Sequence, residues 1–286
     1  IGVLLIDMNY FKYDLTRFIN VYLPKYFFDM YIDTHAHLYL KHFKDDIEKV
    51  VHDAKMKGVD HIYMPNIDKS TTHHMLQLEA KFPDMFSSMM GVHPGSVREN
   101  YQEELDHVEN ELKTGKYIAV GEIGTDLYWE DNKKFKKEQI LVFEQQISWA
   151  LEYDLPIILH ARDSLDLTID IVSNFQNGKL KGIFHCFIGD ADQAEKIMDL
   201  NFLMGIGGVI TYKNSGLKPV VAEIPSEYIV LETDAPFLPP IPHRGRRNES
   251  AFLPLIAQHI SEVQRCSIQE IAQITTANAK KLFGGE

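Results

Sequence analysis

The chain has 286 residues, 45% of them apolar and 24% charged, a globular composition with material for one sizeable core. Its net charge is −12, so its general surface repels nucleic acid, and a polyanion must be drawn in by a local basic patch or by bound cations. The only cysteines, Cys186 and Cys266, imply no disulfide framework and suit a reducing compartment, read here as the cytoplasm; no run approaches the ~18 apolar residues of a spanning helix, so no membrane partner is expected.

Residues 1–29 stand apart in composition, since eight of them are Phe or Tyr. The opening "IGVLLI" lacks a basic flank and a small-residue cleavage site, so it is not read as a signal peptide. Met30 directly precedes "YIDTHAHL". The expected organisation is an N-terminal extension over 1–29 and one domain over 30–286.

From residue 31 onward, short apolar runs alternate with helical patterns. The first strand is predicted over 31–36, and 43–57 follows as a helix, with Phe43, Ile47, Val50, Val51 and Ala54 on one stripe and Gly58 as its stop. Strands at 60–65 and 87–92 come next. A helix over 101–112 repeats the stripe with Tyr101, Leu105, Val108 and Leu112. The fourth strand, 117–122, leads to a long helix over 134–152. Strands at 156–160 and 181–186 follow, and Asp190 caps a helix over 191–200. The seventh strand, 202–207, precedes a weakly helical stretch broken by Gly216, Pro219 and Pro225. The eighth covers 228–233, and Ser267 with Glu270 forms a capping box for a terminal helix. Nearly continuous apolar strands alternating with helices predict a parallel sheet buried on both faces. Eight such units in about 255 residues predict a single-domain α/β protein of the (β/α)₈ TIM-barrel class. An open doubly wound sheet would put a glycine-rich turn where this chain has "THAHL".

The polar residues gather at the ends of those runs. Strand one ends in Asp33, His35 and His37, strand three runs into His93, and strand four ends at Glu122. His160, His185 and Asp234 close strands five, six and eight. The C-terminal strand ends of a barrel share one mouth, where such folds keep their active sites. His35 and His37, two apart on a strand, share a face, and two buried imidazoles need a partner that satisfies both. A divalent cation does so. Glu122 and Asp234 add carboxylates to that set, His160 and His185 remain for a second cation, and Glu122 has two oxygens with which to bridge. Two cations about 3.5–4 Å apart clamp a phosphoryl or carbonyl oxygen and activate a water. Asp234 and Glu122 are therefore the candidate catalytic carboxylates, with Asp234 orienting the water or moving its proton. Mixed His and carboxylate donors suit Zn, Mn, Fe or Mg. Cys186, next to His185, is expected on the opposite strand face, as core packing rather than a ligand.

The segment "PPIPHRGRRNES" holds Arg244, Arg246 and Arg247, and Arg162 lies two residues after His160. These guanidiniums are read as a phosphate clamp, with ion pairs to acids such as Glu249 as the other role open to them. His52, His61, His73, His74 and His107 fall on helices or at a strand start and are read as surface or structural.

Together, "YIDTHAHL", "GVHP", "AVGEIGTDLYW", "ILHARDS", "IFHCFIG", "MGIGGVITYKN", "LETDAPFLPPIPHRGRRNES" and "TTANAKKLF" resemble the TatD family of metal-dependent hydrolases from residue 30 to about 284. The resemblance implies a (β/α)₈ barrel with two metals, one held by His35, His37, Glu122 and Asp234, the other by Glu122, His160 and His185. It implies cleavage of DNA, and sometimes RNA, often from 3′ ends. Gly95 and Ile188 depart from the His and Ser that many members carry there, which leaves substrate preference open. His93 is expected to touch substrate or to support the metals. Two other classes compete. An amidohydrolase-type deaminase or cyclic amidase shares the H-x-H and the terminal Asp, and a non-catalytic binding protein would merely retain the barrel.

Overall fold

The computed structural model describes residues 30–284; the expected extension over 1–29 lies outside the described residues. Eight short parallel strands run in chain order: β1 (Tyr31–Asp33), β2 (Val59–Pro65), β3 (Phe86–Met89), β4 (Val120–Asp126), β5 (Ile157–Arg162), β6 (Gly182–Phe184), β7 (Leu203–Ile206) and β8 (Ile229–Leu231). They form a sheet of order β1-β2-β3 and a sheet of order β4-β5-β6-β7-β8. Parallel bridges Met90↔Val120 and Ala36↔Ala235 join the two sheets on both sides, completing the barrel.

The helices form where the apolar stripes place them. They are α1 (Ile47–Met56), α2 (Lys69–Lys81), α3 (Tyr101–Leu112), α4 (Glu130–Lys133), α5 (Lys136–Glu152), α6 (Leu165–Phe175), α7 (Ala191–Asp199), α8 (Leu217–Glu223), α9 (Leu253–Gln264) and α10 (Ile268–Phe283). In α1, Val50, Val51 and Ala54 are buried, and Gly58 ends the turn at φ +81. Asp190 and Ser267 cap α7 and α10 through reciprocal capping boxes. The weak stretch after β7 folds as a 3₁₀ turn (Gly208–Thr211) followed by α8.

Three boundaries differ from the sequence pattern. The helix expected over 134–152 forms unbroken as α5, starting two residues later, and the short α4 precedes it. Strand β4 runs on past Glu122 to Asp126, because Thr125 and Asp126 keep pairing with Ala161 and Arg162. Glu122 and His160 are therefore inside strands and not at their ends. By contrast, β6 stops at Phe184, and Cys186 takes a left-handed φ of +48. Strand alternation therefore does not set the direction of its side chain; Cys186 is half-buried and lines a cavity beside His185.

The barrel interior is layered. Ile32, Met89, Ile158, Ile183 and Val230 form an apolar cluster against which Leu282 and Phe283 of α10 pack. Two residues after Ile158, Ile183 and Val230 come His160, within β5, and His185 and Glu232, just beyond the ends of β6 and β8. A polar layer thus sits on an apolar floor. The β1–β8 seam is stitched by Asp33, which is fully buried. Its carboxylate accepts from the Thr233 hydroxyl (2.6 Å), the Thr233 N–H (2.9 Å) and the His35 N–H (3.3 Å). Asp33→Ala would leave these donors buried without an acceptor. We expect a loss of roughly 1–3 kcal/mol, read as a lower denaturant midpoint at unchanged slope.

Candidate metal centre

Glu122 occupies its place because the β4–β5 ladder slips. Gly121 pairs with Ile158 and Ile123 with Leu159, which leaves Glu122 as the extra residue of a bulge. Its N–H turns to the Asn66 carbonyl instead (3.2 Å). Only glycine fits at 121, since a Cβ there would lie 2.7 Å from the Ile158 Cβ. The segment after β1 is fixed on both sides. Ala36 donates to the Tyr63 carbonyl (3.1 Å) and His37 to the Ala235 carbonyl (2.7 Å), while Asp234 donates to the His35 carbonyl (2.9 Å). Asp234 itself turns out of β8 at φ +56, a left-handed conformation that Asp tolerates better than most residues.

The structure brings all six sequence-predicted ligands together around the buried Glu122 carboxylate. Oε2 lies 3.3 Å from His35 Nε2 and 3.4 Å from His37 Nε2. Oε1 lies 2.8 Å from His160 Nδ1 and 3.2 Å from His185 Nε2. The Asp234 Oδ1 sits 3.9 Å from His35 Nε2 and 3.6 Å from His37 Nε2. The two oxygens of Glu122 thus serve two separate histidine groups.

Neighbours fix which nitrogen each ring offers. The Tyr39 hydroxyl donates to the Pro65 carbonyl (2.6 Å), so it accepts from His37 Nδ1–H (2.9 Å) and leaves Nε2 as a lone pair toward the centre. Glu232 accepts from His185 Nδ1–H (3.2 Å) and from the Cys186 N–H (2.6 Å), which likewise frees His185 Nε2. Asp126 Oδ2 faces His160 Nε2 (3.3 Å), so His160 turns Nδ1 inward. His93 has the opposite polarity: Nδ1 accepts from the Gly95 N–H (2.8 Å), and its Nε2–H points at His160 Nδ1 (3.3 Å). His93 enters the centre as a donor.

Electrostatics follow this pattern. Burial pushes the Glu122 carboxyl up, but His93, His35 and His185 outweigh it and hold it well below the ordinary carboxylate range. Burial and the His185 charge lower His35, and burial lowers His93 to about 3. Burial also lowers His185 and His160; the carboxylates of Glu232 and Glu122 overcome it at His185, those of Asp126 and Glu122 at His160, and both imidazoles are raised. Burial raises Asp234 to about 6. Every ion-pair partner described for Glu122 and Asp234 is a histidine, and two of those histidines are neutral. Inward-facing nitrogen lone pairs beside buried carboxylates form the donor set of a divalent cation, and the residues present fit one.

The family profile described as TatD related DNase matches residues 32–284. The chain belongs to the TatD-related DNase family. It is 36% identical to YabD, an uncharacterized metal-dependent hydrolase of Bacillus subtilis, over 89% of this chain and 99% of that protein. It is 29% identical to the 3′-5′ ssDNA/RNA exonuclease TatD of Pectobacterium parmentieri, over 88% and 98% respectively. The crystal structure of YjjV, a TatD homologue from Escherichia coli K12, superposes with a TM-score of 0.84 at 30% identity, covering 90% of this chain and 98% of that one. The chain is thus a metal-dependent hydrolase of the TatD family, with a TatD-type TIM barrel.

Sequence reasoning missed Glu232, Asp126 and Tyr39, the groups that set the tautomers. Glu232 stands in the quoted "LETDAP", two residues before Asp234, and that spacing on a strand was its available signal. A side chain at 205 would exclude it, because a Cβ on Gly205 falls 2.0 Å from Glu232 Oε2. The arginines divide. Arg247 is held by Asp46 (2.8 and 2.7 Å) and Glu249 (2.8 Å), and rests on the Phe43 ring. That corrects its placement in the phosphate clamp: its donors are occupied in ion pairs. Arg162 lies over Tyr128 and Arg244 over Tyr212, while Arg246 is exposed.

Glu232→Gln keeps the shape and an acceptor but removes the charge behind His185. We expect roughly tenfold weaker metal binding in a chelator-competition titration, with the fold unchanged. Protons and cation also compete for the raised His160 and His185. Protonation is favoured below their folded values, so loading must weaken as pH falls. Between about pH 8 and about pH 6, the apparent metal Kd should rise roughly tenfold per pH unit for each proton displaced, checked by calorimetry in buffers of different ionisation enthalpy.

Proposed function

We propose that this chain is a phosphodiesterase that hydrolyses DNA, or RNA, from its ends with the help of two divalent cations, Zn, Mn, Mg or Fe. The single observation that supports this most is the split of the Glu122 carboxylate. Oε2 faces the His35–His37 pair and Oε1 faces His160 and His185. His35, His37, Glu122 and Asp234 would hold one ion, and Glu122, His160 and His185 the other. The family description and the activity in the Pectobacterium relative's name support a nucleic-acid substrate. Both cysteines are free, which agrees with the cytoplasm as the place of reaction.

When bound, the cations polarise a phosphoryl oxygen and acidify an attacking water. The chain's own groups do the rest. Asp234, whose carboxylate sits beside the His35–His37 pair, is placed to take the water's proton. The water oxygen bonds to phosphorus, the ester P–O bond breaks, and the departing sugar oxygen takes a proton from solvent. His93, neutral with Nε2–H directed inward, donates to a non-bridging oxygen. Arg244 and Arg246 are exposed on the loop after β8, and we assign them to flanking phosphates of a chain that otherwise repels them. A cavity of about 430 Å³, lined by His185, Cys186, Ile188, Ala161 and Ser164 among others, gives room for a nucleotide-sized group.

The test is turnover of bis(p-nitrophenyl) phosphate and of a 5′-labelled single-stranded oligonucleotide with added Mg²⁺, Mn²⁺ or Zn²⁺, beside a cyclic amide. We expect shortening of the oligonucleotide from its 3′ end. Turnover of the amide alone would move the chain to the amidohydrolase class, and no turnover at all would make it a binding protein. Arg246→Ala should raise KM for the oligonucleotide about tenfold with metal content unchanged, whereas Glu122→Ala should lose the metal.

A further inference from the structure

Arg162, expected at a phosphate, stacks on an aromatic ring. Its guanidinium carbon lies 3.8 Å from the Tyr128 ring centroid and 5.7 Å from that of Trp129. Tyr128 and Trp129 meet edge to face at 4.7 Å and 87°. Both rings are well exposed, 45% for Tyr128 and 57% for Trp129. Two large exposed aromatics side by side are costly on a surface without a ligand. Their backbone is nevertheless pinned. Leu127 donates to the Arg162 carbonyl (2.8 Å), and the Trp129 carbonyl accepts from the Asn132 N–H (2.9 Å).

The stack is wired to the metal centre through one carboxylate. Asp126 Oδ1 accepts from the Tyr128 N–H (3.0 Å), and Asp126 Oδ2 faces His160 Nε2 (3.3 Å). The main chain that carries the rings is therefore joined to a candidate ligand through a single residue. The local charge does not select phosphate. Arg162 is applied to a ring face, and Glu130 and Asp131 beside Trp129 are balanced by Lys133 and Lys134. A flat, uncharged, π-rich group is the complement of such a surface.

We propose that Tyr128, Trp129 and Arg162 form the seat of the nucleobase next to the phosphate being cleaved, with Trp129 as the stacking face. This rests on the nuclease reading and adds to it a base-dependent subsite. The cation of Arg162 braces Tyr128, Tyr128 braces Trp129, and Asp126 sets their distance from His160.

Two measurements on the metal-loaded full chain test it. Trp129 and Trp149 are its two tryptophans, and Trp149 is buried. Trp129 fluorescence should be quenched by dAMP and not by deoxyribose 5-phosphate or inorganic phosphate, and the quench should vanish in Trp129→Ala. In the second, Trp129→Ala should raise KM about tenfold for an oligonucleotide with a natural 3′ end, but not for one whose terminal nucleotide is abasic, with kcat and metal content held. Trp129→Phe should restore most of the affinity. Equal response to dAMP and deoxyribose 5-phosphate, or an unchanged KM in Trp129→Ala, overturns the proposal. A chain that binds dAMP at Trp129 yet cleaves no phosphodiester keeps the seat and loses the nuclease reading. A chain that cleaves oligonucleotides equally well without Trp129 does the reverse.

Discussion

A carboxylate buried among five imidazoles is the constraint on which the rest of this molecule depends. Glu122 contacts His35, His37, His93, His160 and His185, from four separate places in the chain. A buried anion is costly unless it is paired, and every ion-pair partner described for this one is an imidazole, which can pass its place to a cation from outside. The barrel provides the setting in which that cost is tolerated. Its lower interior is filled by Ile32, Ile158, Ile183 and Val230, so the polar layer above them has a rigid base. A bulge in β4 turns Glu122 toward the centre, and Gly121 makes the bulge sterically possible.

The groups behind the inner ring decide what it can bind. Tyr39, Glu232 and Asp126 each hold the outer nitrogen of a histidine, which leaves the inner nitrogen of that ring as a lone pair. The Gly95 N–H does the opposite at His93 and makes it a donor. One set of imidazoles is thereby divided into candidate ligands and a hydrogen-bond donor by a hydroxyl, two carboxylates and a backbone N–H. Gly95 is also one of the positions where the chain departs from the pattern it resembles, and a Cβ there would lie 2.9 Å from the His93 Nδ1 that its N–H serves.

Around this centre, the mouth separates charges from flat surfaces. Arg247 ties the loop after β8 to Asp46 at the start of α1, which stabilises the loop that carries Arg244 and Arg246. On the β4 side, Arg162 supports Tyr128 and Trp129 instead of pairing with an acid. On the nuclease reading we propose, these features give a chain of net charge −12 a local place to receive a polyanion.

Much of this was legible in one dimension. Apolar runs alternating with 3.6-residue stripes mark eight βα units, because burial on both faces of a strand and on one face of a helix must appear in residue order. The H-x-H spacing, the isolated Glu and the final Asp mark a metal site, since few other partners satisfy such groups in an interior. Local capping at Asp190 and Ser267 was equally readable, because its bonds span three residues. Contacts between distant residues were not. The register slip at Glu122, the Glu232 and Asp126 carboxylates behind His185 and His160, and the diversion of Arg247 and Arg162 to Asp46 and Tyr128 all depend on pairings decided by closure of the barrel. Composition and spacing name the groups that want partners. Only the folded chain, by bringing them within hydrogen-bonding distance, determines which partner each one gets.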